Sequence, residues 1–234
     1  IVVTARRQSE SIRDIPAAIQ AFGSDTLVQA GVTSVNDLSS LVSGFHVVEA
    51  QQPGVSMVNI RGIGQSRFSE PPIAVVIDGV QQVSPNQLTQ DLFDIEQIEF
   101  LKGPQGALYG RNALGGAINI VTRKPRDYFE GSVQASYAEG NDYKVGGFIS
   151  TPIGDAAGLR VAASYRNRDG QIYNTTLNEN VDFDETYTVR GSLLLKPSAG
   201  VEIDFAGSYL DQKGGAAYYA LGPANAPRER VTAN

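Results

Sequence analysis

Residues 93–123, FDIEQIEFLKGPQGALYGRNALGGAINIVTR, read as a strand, a glycine-rich turn and a second strand. Apolar side chains stand at Ile95, Ile98, Phe100 and Leu101 before the turn, and at Ala117, Ile118, Ile120 and Val121 after it. Between them lie Gly103, Gly106, Gly110, Gly115 and Gly116. Strand-forming residues thus bracket a centre suited to positive φ angles and to close approach of backbones.

Such a density of glycine suggests a phosphate cradle, and the specific templates fail. A P-loop needs Gly-Lys-Ser/Thr at its end, whereas Gly115 is followed by Gly116 and Ala117, with neither a lysine nor a magnesium-binding hydroxyl. A dinucleotide fingerprint fails too, because Gly62-Ile63-Gly64 runs on into Gln65, Ser66 and Arg67 where a third glycine is required.

The stretch closely resembles the motif that ends the plug domain of the TonB-dependent outer-membrane receptors. Glu99, Lys102-Gly103-Pro104, Leu108-Tyr109-Gly110-Arg111, Gly115-Gly116, Ile118-Asn119-Ile120 and Lys124-Pro125 all fall in register with it. The resemblance implies an α+β plug domain over residues 15–125. It also implies that residues 126–234 are the first antiparallel strands of a transmembrane β-barrel, of about 22 strands when complete. Residues 1–14 would be a periplasmic arm. A glycine-rich hairpin of some other domain is the plainer alternative.

Composition narrows the function classes. With no cysteine and a single histidine, His46, the chain offers neither a disulfide scaffold nor a cysteine or histidine metal cluster. Nineteen Lys and Arg against 25 Asp and Glu give a net charge of −6, which argues against a nucleic-acid partner. No apolar run approaches the ~18 residues of a membrane helix, so any membrane passage falls to strands. Nothing suggests a cofactor. Carboxylate pairs such as Asp94 with Glu96 read as solvated faces rather than an acid/base site, and the chain is not expected to be an enzyme.

Ile1-Val2-Val3-Thr4-Ala5 is β-prone and precedes a polar stretch. It resembles the TonB box of the same family, which implies that Ile1, Val2, Val3, Thr4 and Ala5 add as a strand to a TonB-type energy-transducing protein. An ordinary edge strand is the alternative. From residue 15 onward the pattern predicts a strand at Ala18 to Phe22 and a short helix capped by Ser24 and ended by Gly31. A second helix is expected to start at Thr33 or Ser34, present Val35, Leu38, Leu41 and Val42 on one face, and stop at Gly44. Ser43-Gly44 departs from the family's usual Pro-Gly, which loosens that turn.

Further strands are predicted at Phe45 to Glu49, Val58 to Arg61, Ile73 to Ile77 and Ile95 to Leu101. Two loops between them mix aromatic, amide, hydroxyl and charged groups, and recognition residues concentrate on such loops. Substrate contact is therefore expected from Gln65, Arg67, Phe68 and Glu70 in the first, and from Ser84, Asn86 and Gln87 in the second. Phe68 beside Arg67 offers a stacking surface. Arg61 and Lys102 lie on otherwise apolar segments, where an unpaired charge is costly. The resemblance makes them the cationic half of a latch to glutamates of the barrel wall beyond Asn234, with lysine in place of the family's second arginine.

After Pro125 the period becomes two. Phe129, Gly131, Val133, Ala135 and Tyr137 alternate with polar residues, and the pattern recurs from Tyr143, Leu159, Tyr187 and Val201. Strands of about ten residues with one apolar face suit a tilted transmembrane strand. A soluble sandwich would alternate in the same way, but short turns at 154–158 and 197–200 against a long polar loop at 169–184 favour a barrel. Five strands do not close a barrel around a plug, so a longer receptor is expected. The leading function is active import of a scarce small-molecule or metal-chelate ligand across the outer membrane, a siderophore-type iron complex foremost. A passive porin or adhesin, or a soluble binding module, is the alternative.

Overall fold

The computed structural model describes residues 2–4, 10–12, 18–49, 56–66, 69–82, 92–170, 172–175, 177–215 and 230–231. It divides into two compact units, residues 1–50 with 54–123, and residues 51–53 with 124–234.

The first unit opens with two short strands, β1 (Val2–Val3) and β2 (Glu10–Ser11), paired antiparallel. β3 (Ala18–Gly23) leads into α1 (Ser24–Gln29). Helix α1 starts one residue earlier than the capping pattern predicts: Gly23 occupies the cap position and Ser24 is already helical. The expected second helix is only a 3-10 turn at Asp37–Ser40. Its cause is visible in Asp37, whose carboxylate accepts the backbone N–H groups of Thr33 and Ser34 at 2.9 Å each and both of their hydroxyls. Side-chain bonds of this kind compete with helix formation. The apolar pattern survives the change, since Val35, Leu38 and Val42 are all buried.

Next come β4 (Phe45–Glu49), β5 (Ser56–Ile60) and β6 (Ile63–Gly64), which form a sheet of their own. β7 (Ile73–Ile77), β8 (Val80–Gln82), β9 (Ile95–Lys102), the single-turn α2 (Gly106–Tyr109) and β10 (Gly116–Thr122) complete the unit. The main sheet runs β3-β9-β10-β7-β8, with β10 parallel to β7 and the remaining neighbours antiparallel.

The register of this sheet sorts its side chains onto two faces. Ile98, Phe100, Ile118, Ile120, Ile73 and Val75 share one, and they form a single cluster with Leu27, Val35, Leu38, Val42, Phe45 and Ile60. Phe100 is fully buried, edge-on to Phe45 at 5.1 Å and to Phe22 at 6.4 Å. Full burial of a side chain of this size stabilises by roughly 1.5–3 kcal/mol. Ala74, Val76, Leu101 and Ala117 share the other face and cluster with Tyr109 and Ala113. Glu99 and Asn119, paired across β9 and β10, stand on that second face too.

The second unit is an antiparallel meander of β11 (Glu130–Ala138), β12 (Asp142–Ile153), β13 (Ala157–Arg168), β16 (Asp184–Ser198) and β17 (Val201–Gly214). The loop after β13 holds two short strands, β14 (Tyr173–Asn174) and β15 (Glu179–Asn180), and β18 (Arg230–Val231) pairs with β14. β12, β13, β16 and β17 contain the alternation seen in the sequence and extend it at one or both ends, whereas β11 begins one residue late and leaves Phe129 outside the strand. The loop between β13 and β16 is long, while the turns after β12 and β16 are short.

The two faces of this meander carry an inverted polarity. Val133 is 83 % exposed, and Val145, Ile149, Val161, Val189, Phe205 and Tyr209 are exposed with it. On the opposite face of the inner strands, Ser150, Arg160, Ser164, Thr186 and Thr188 are buried. Arg160 is 2 % exposed and pairs with Glu130 at 2.6 Å, its guanidinium carbon 4.0 Å from the centre of the Phe148 ring. Arg166 grips Asp142 through two bonds, at 3.1 and 2.7 Å. On the apolar face, Tyr143, Tyr165 and Tyr187 stack across three neighbouring strands, with centroids 5.8 and 4.4 Å apart. A soluble sandwich buries its apolar face and wets its polar one. This meander does the reverse, as a membrane barrel does. No helix among the described residues is long and apolar enough to cross a membrane.

Candidate functional site

The motif glycines are explained by close approach. A methyl group at Gly115 would lie 2.2 Å from Ile60 Cγ2, and one at Gly116 would lie 2.4 Å from the carbonyl oxygen of Leu101. A side chain at Gly115 would have to displace the buried Ile60 side chain, and one at Gly116 the backbone of β9. Gly103 has a φ of 99°, and its N–H donates to Gly115 O at 3.0 Å, closing the link between β9 and β10. Pro104 follows it, Tyr109 is buried in α2, and Gly110 ends that turn with a φ of 71°.

Arg61 lies just past the end of β5, not within it, in a turn with a φ of 50°. Its N–H donates to Gly44 O at 2.8 Å, and a side chain at Gly103 would meet its guanidinium at 3.7 Å. Lys102 Nζ donates to Ser43 O at 3.3 Å. The Arg61 backbone and the Lys102 ammonium thus both meet the Ser43-Gly44 turn, while the Arg61 guanidinium lies beside Gly103. Arg61 is exposed and Lys102 half-buried, and no carboxylate among the described residues is in ion-pair range of either. The expectation that both occupy apolar central strands holds for Lys102 alone.

In the first loop, Gln65 serves the loop's own structure: its side-chain oxygen accepts Val58 N–H at 3.1 Å and its amide donates to Ser69 O at 3.0 Å. Glu70 and Arg111 are exposed and approach at 3.7 Å, which joins the loop to the glycine motif. Gln81, on β8, also reaches that motif by donating to Arg111 O at 2.9 Å. Arg67 and Phe68, and Ser84, Asn86 and Gln87 of the second loop, lie outside the described residues.

At the N-terminus, Ile1 and Ala5 lie outside the described residues, while Val3 is fully buried. Thr4 N–H donates to Glu99 Oε1 at 2.7 Å, and its hydroxyl donates to the same oxygen at 3.3 Å. Asn119 Nδ2 donates to Glu99 Oε2 at 3.0 Å and to Thr4 Oγ1 at 3.3 Å. Gln97 adds a further donor to Glu99. Glu99 and Asn119 were legible as motif residues, but Gln97 and the link to Thr4 were not. The available signal was two polar residues facing inward on strands otherwise apolar. No group of three or more His, Cys, Asp or Glu among the described residues is placed to hold a metal ion.

Comparison with known proteins agrees with this architecture. The model of the TonB-dependent receptor plug domain matches residues 11–117. Among curated relatives, the pesticin receptor of Yersinia pestis is 33 % identical over 159 residues, covering 66 % of this chain and 23 % of that protein. The iron-regulated outer membrane virulence protein of Vibrio cholerae is 31 % identical over 187 residues, covering 72 % and 28 %. Among solved structures, the ferric yersiniabactin uptake receptor of Yersinia pestis superposes with a TM-score of 0.79 at 27 % identity, covering 84 % of this chain and 32 % of that one. The chain thus spans roughly a quarter of the length of the curated relatives it matches, 23 % of the first. That family consists of transporters, not enzymes. The glycine motif, the two-faced plug sheet and the meander with its apolar face outward agree with these matches, and the chain belongs to the TonB-dependent receptors of the bacterial outer membrane.

Proposed function

We propose that this chain is the plug and the first barrel strands of an active importer that takes up a siderophore-type iron complex. The inverted polarity of the meander supports this most directly: an apolar outer face suits lipid, and a polar inner face suits a water-filled lumen that holds a plug. Relatives point to the cargo class, since they include a rhizobactin receptor from Rhizobium meliloti and the ferric yersiniabactin uptake receptor. In this reading residues 1–5 pair with the TonB-type transducer in the periplasm. Gln65, Arg67, Phe68 and Glu70, with Ser84, Asn86 and Gln87, form the ligand-facing apex. Arg61 and Lys102 latch the plug to carboxylates of the barrel. The Arg61 guanidinium beside Gly103 and the Lys102 ammonium at Ser43 O set the two charges near the end of β9, which supports that role.

Uptake of a radiolabelled ferric siderophore by cells carrying the full-length receptor tests the reading. Deletion of residues 1–5 should abolish uptake while leaving ligand binding intact. Undiminished uptake would mean a passive pore. Alanine at Arg67 and Phe68 together should weaken ligand binding without impairing barrel assembly, and wild-type affinity would remove that loop from the site.

A further inference from the structure

The hydrogen bonds around Glu99 form a seat for the N-terminal segment. Glu99 is fully buried on β9, and no cation reaches it among the described residues. A buried carboxylate is tolerated when its oxygens are satisfied by donors. Here Thr4 supplies both its N–H and its hydroxyl, from 95 residues away in the chain. Gln97 and Asn119 supply the remainder from the sheet itself. Asn119 donates to both Glu99 and Thr4 Oγ1, so the three residues close a ring.

We propose that Glu99 is the residue that positions the N-terminal segment. Its carboxylate, aligned by Gln97 and Asn119, holds Thr4 and so keeps the segment seated on the plug until it is drawn away. The chemistry makes the seat two-state. With Thr4 in place every Glu99 oxygen is satisfied and Val3 is fully buried. With Thr4 gone, Oε1 keeps Gln97 alone, and water must enter to replace two donors. Seating of the segment is then linked to the dryness of the sheet face around Glu99. A pull applied at the segment wets that face first, before the apolar cluster around Phe100 on the other side of the sheet. Threonine suits this position because its hydroxyl donates to Glu99 while accepting from Asn119. The meaning of this seat for transport rests on the reading of residues 1–5 as the transducer-binding segment, but its geometry does not.

Hydrogen exchange on the full-length receptor in lipid nanodiscs, without transducer, tests the seat. Glu99→Gln turns one acceptor oxygen into a donor that faces other donors. It should speed exchange at the Val3 amide by at least about tenfold, leaving the amides of Ile118 and Ile120 as slow as in the wild type. Thr4→Pro removes both the N–H and the hydroxyl on the segment's side and should open the segment equally with the sheet untouched. This covers the case in which Glu99→Gln disturbs folding. Thr4→Ser, which keeps both donors, should exchange at the wild-type rate. Val3 exchange within twofold of wild type in both Glu99→Gln and Thr4→Pro would overturn the seat. The periplasmic domain of the transducer is then added to the same samples. Faster exchange in Glu99→Gln and Thr4→Pro with no transducer binding to any form supports the seat and removes the reading of residues 1–5. Unchanged exchange with normal transducer binding through residues 1–5 overturns the seat and leaves that reading standing.

Discussion

The plug sheet and the barrel meander use the same alternating strands in opposite senses. In the sheet around β9 and β10, Phe100, Ile98 and Ile118 turn inward to an apolar cluster, and the buried polar residues Glu99 and Asn119 are few and fully bonded to each other and to Thr4. In the meander, Val133, Val189 and Phe205 are exposed, while Arg160, Ser164 and Thr188 are buried. The difference lies in the solvent each unit is built for. A strand pattern alone says which residues share a face, and the surroundings decide which face is covered.

The comparison breaks most sharply with one substitution made in both regions. Phe100→Ala leaves a cavity among Phe22, Phe45 and the other cluster residues, and should cost about 3–5 kcal/mol. Phe205→Ala should cost only the transfer part, roughly 1.5–3 kcal/mol, because lipid refills the space. Denaturant titration of the refolded full-length receptor, following plug and barrel separately, measures both. Equal losses would mean that the meander packs its outward face against protein.

Charge insertion sharpens the same contrast. Val133→Lys or Val189→Lys should cost about 2–4 kcal/mol if the site lies near the membrane midplane, while Ser132→Lys or Ser192→Lys should cost little. Folding titrations in lipid would read the difference, and equal penalties on the two faces would restore the soluble sandwich.

Much of this fold was legible because each region repeats a short-range rule. The bounds Phe45–Glu49 and Ile73–Ile77 follow from local apolar runs between turn residues, and the meander follows from period two. The failures have physical causes. The pattern offers Thr33 or Ser34 as the cap of an α-helix, but the bonds run the other way, with Asp37 accepting from both N–H groups and holding a tight turn. The apolar run predicts Arg61 as the end of a strand, yet it is the turn residue whose N–H donates to Gly44 O. Glu99 was legible as part of a motif, but its partner lies 95 residues away, beyond any local pattern.

The smallest effect concerns Asp37. Burial raises its carboxyl pKa, but the backbone bonds from Thr33 and Ser34, with their hydroxyls, outweigh burial and hold it below the ordinary 3.8. A lowered folded-state pKa gives stability that is present above 3.8 and is lost as pH falls through the lower folded value. Asp37→Asn should therefore loosen residues 33–42 at neutral pH and differ little from wild type well below pH 3.8. Limited proteolysis of the turn across that range would show it. A penalty independent of pH would mean that the carboxylate charge is not what holds the turn.

The most direct test of the central contrast is a spin-label scan of residues 130–137 in the full-length receptor in lipid, comparing collisions with oxygen and with a water-soluble nickel chelate. Oxygen should dominate at Gly131, Val133, Ala135 and Tyr137, and the nickel chelate or immobilisation at Glu130, Ser132, Gln134 and Ser136, with a period of two. Equal accessibility along the strand, or oxygen preference on the polar face, would contradict the account.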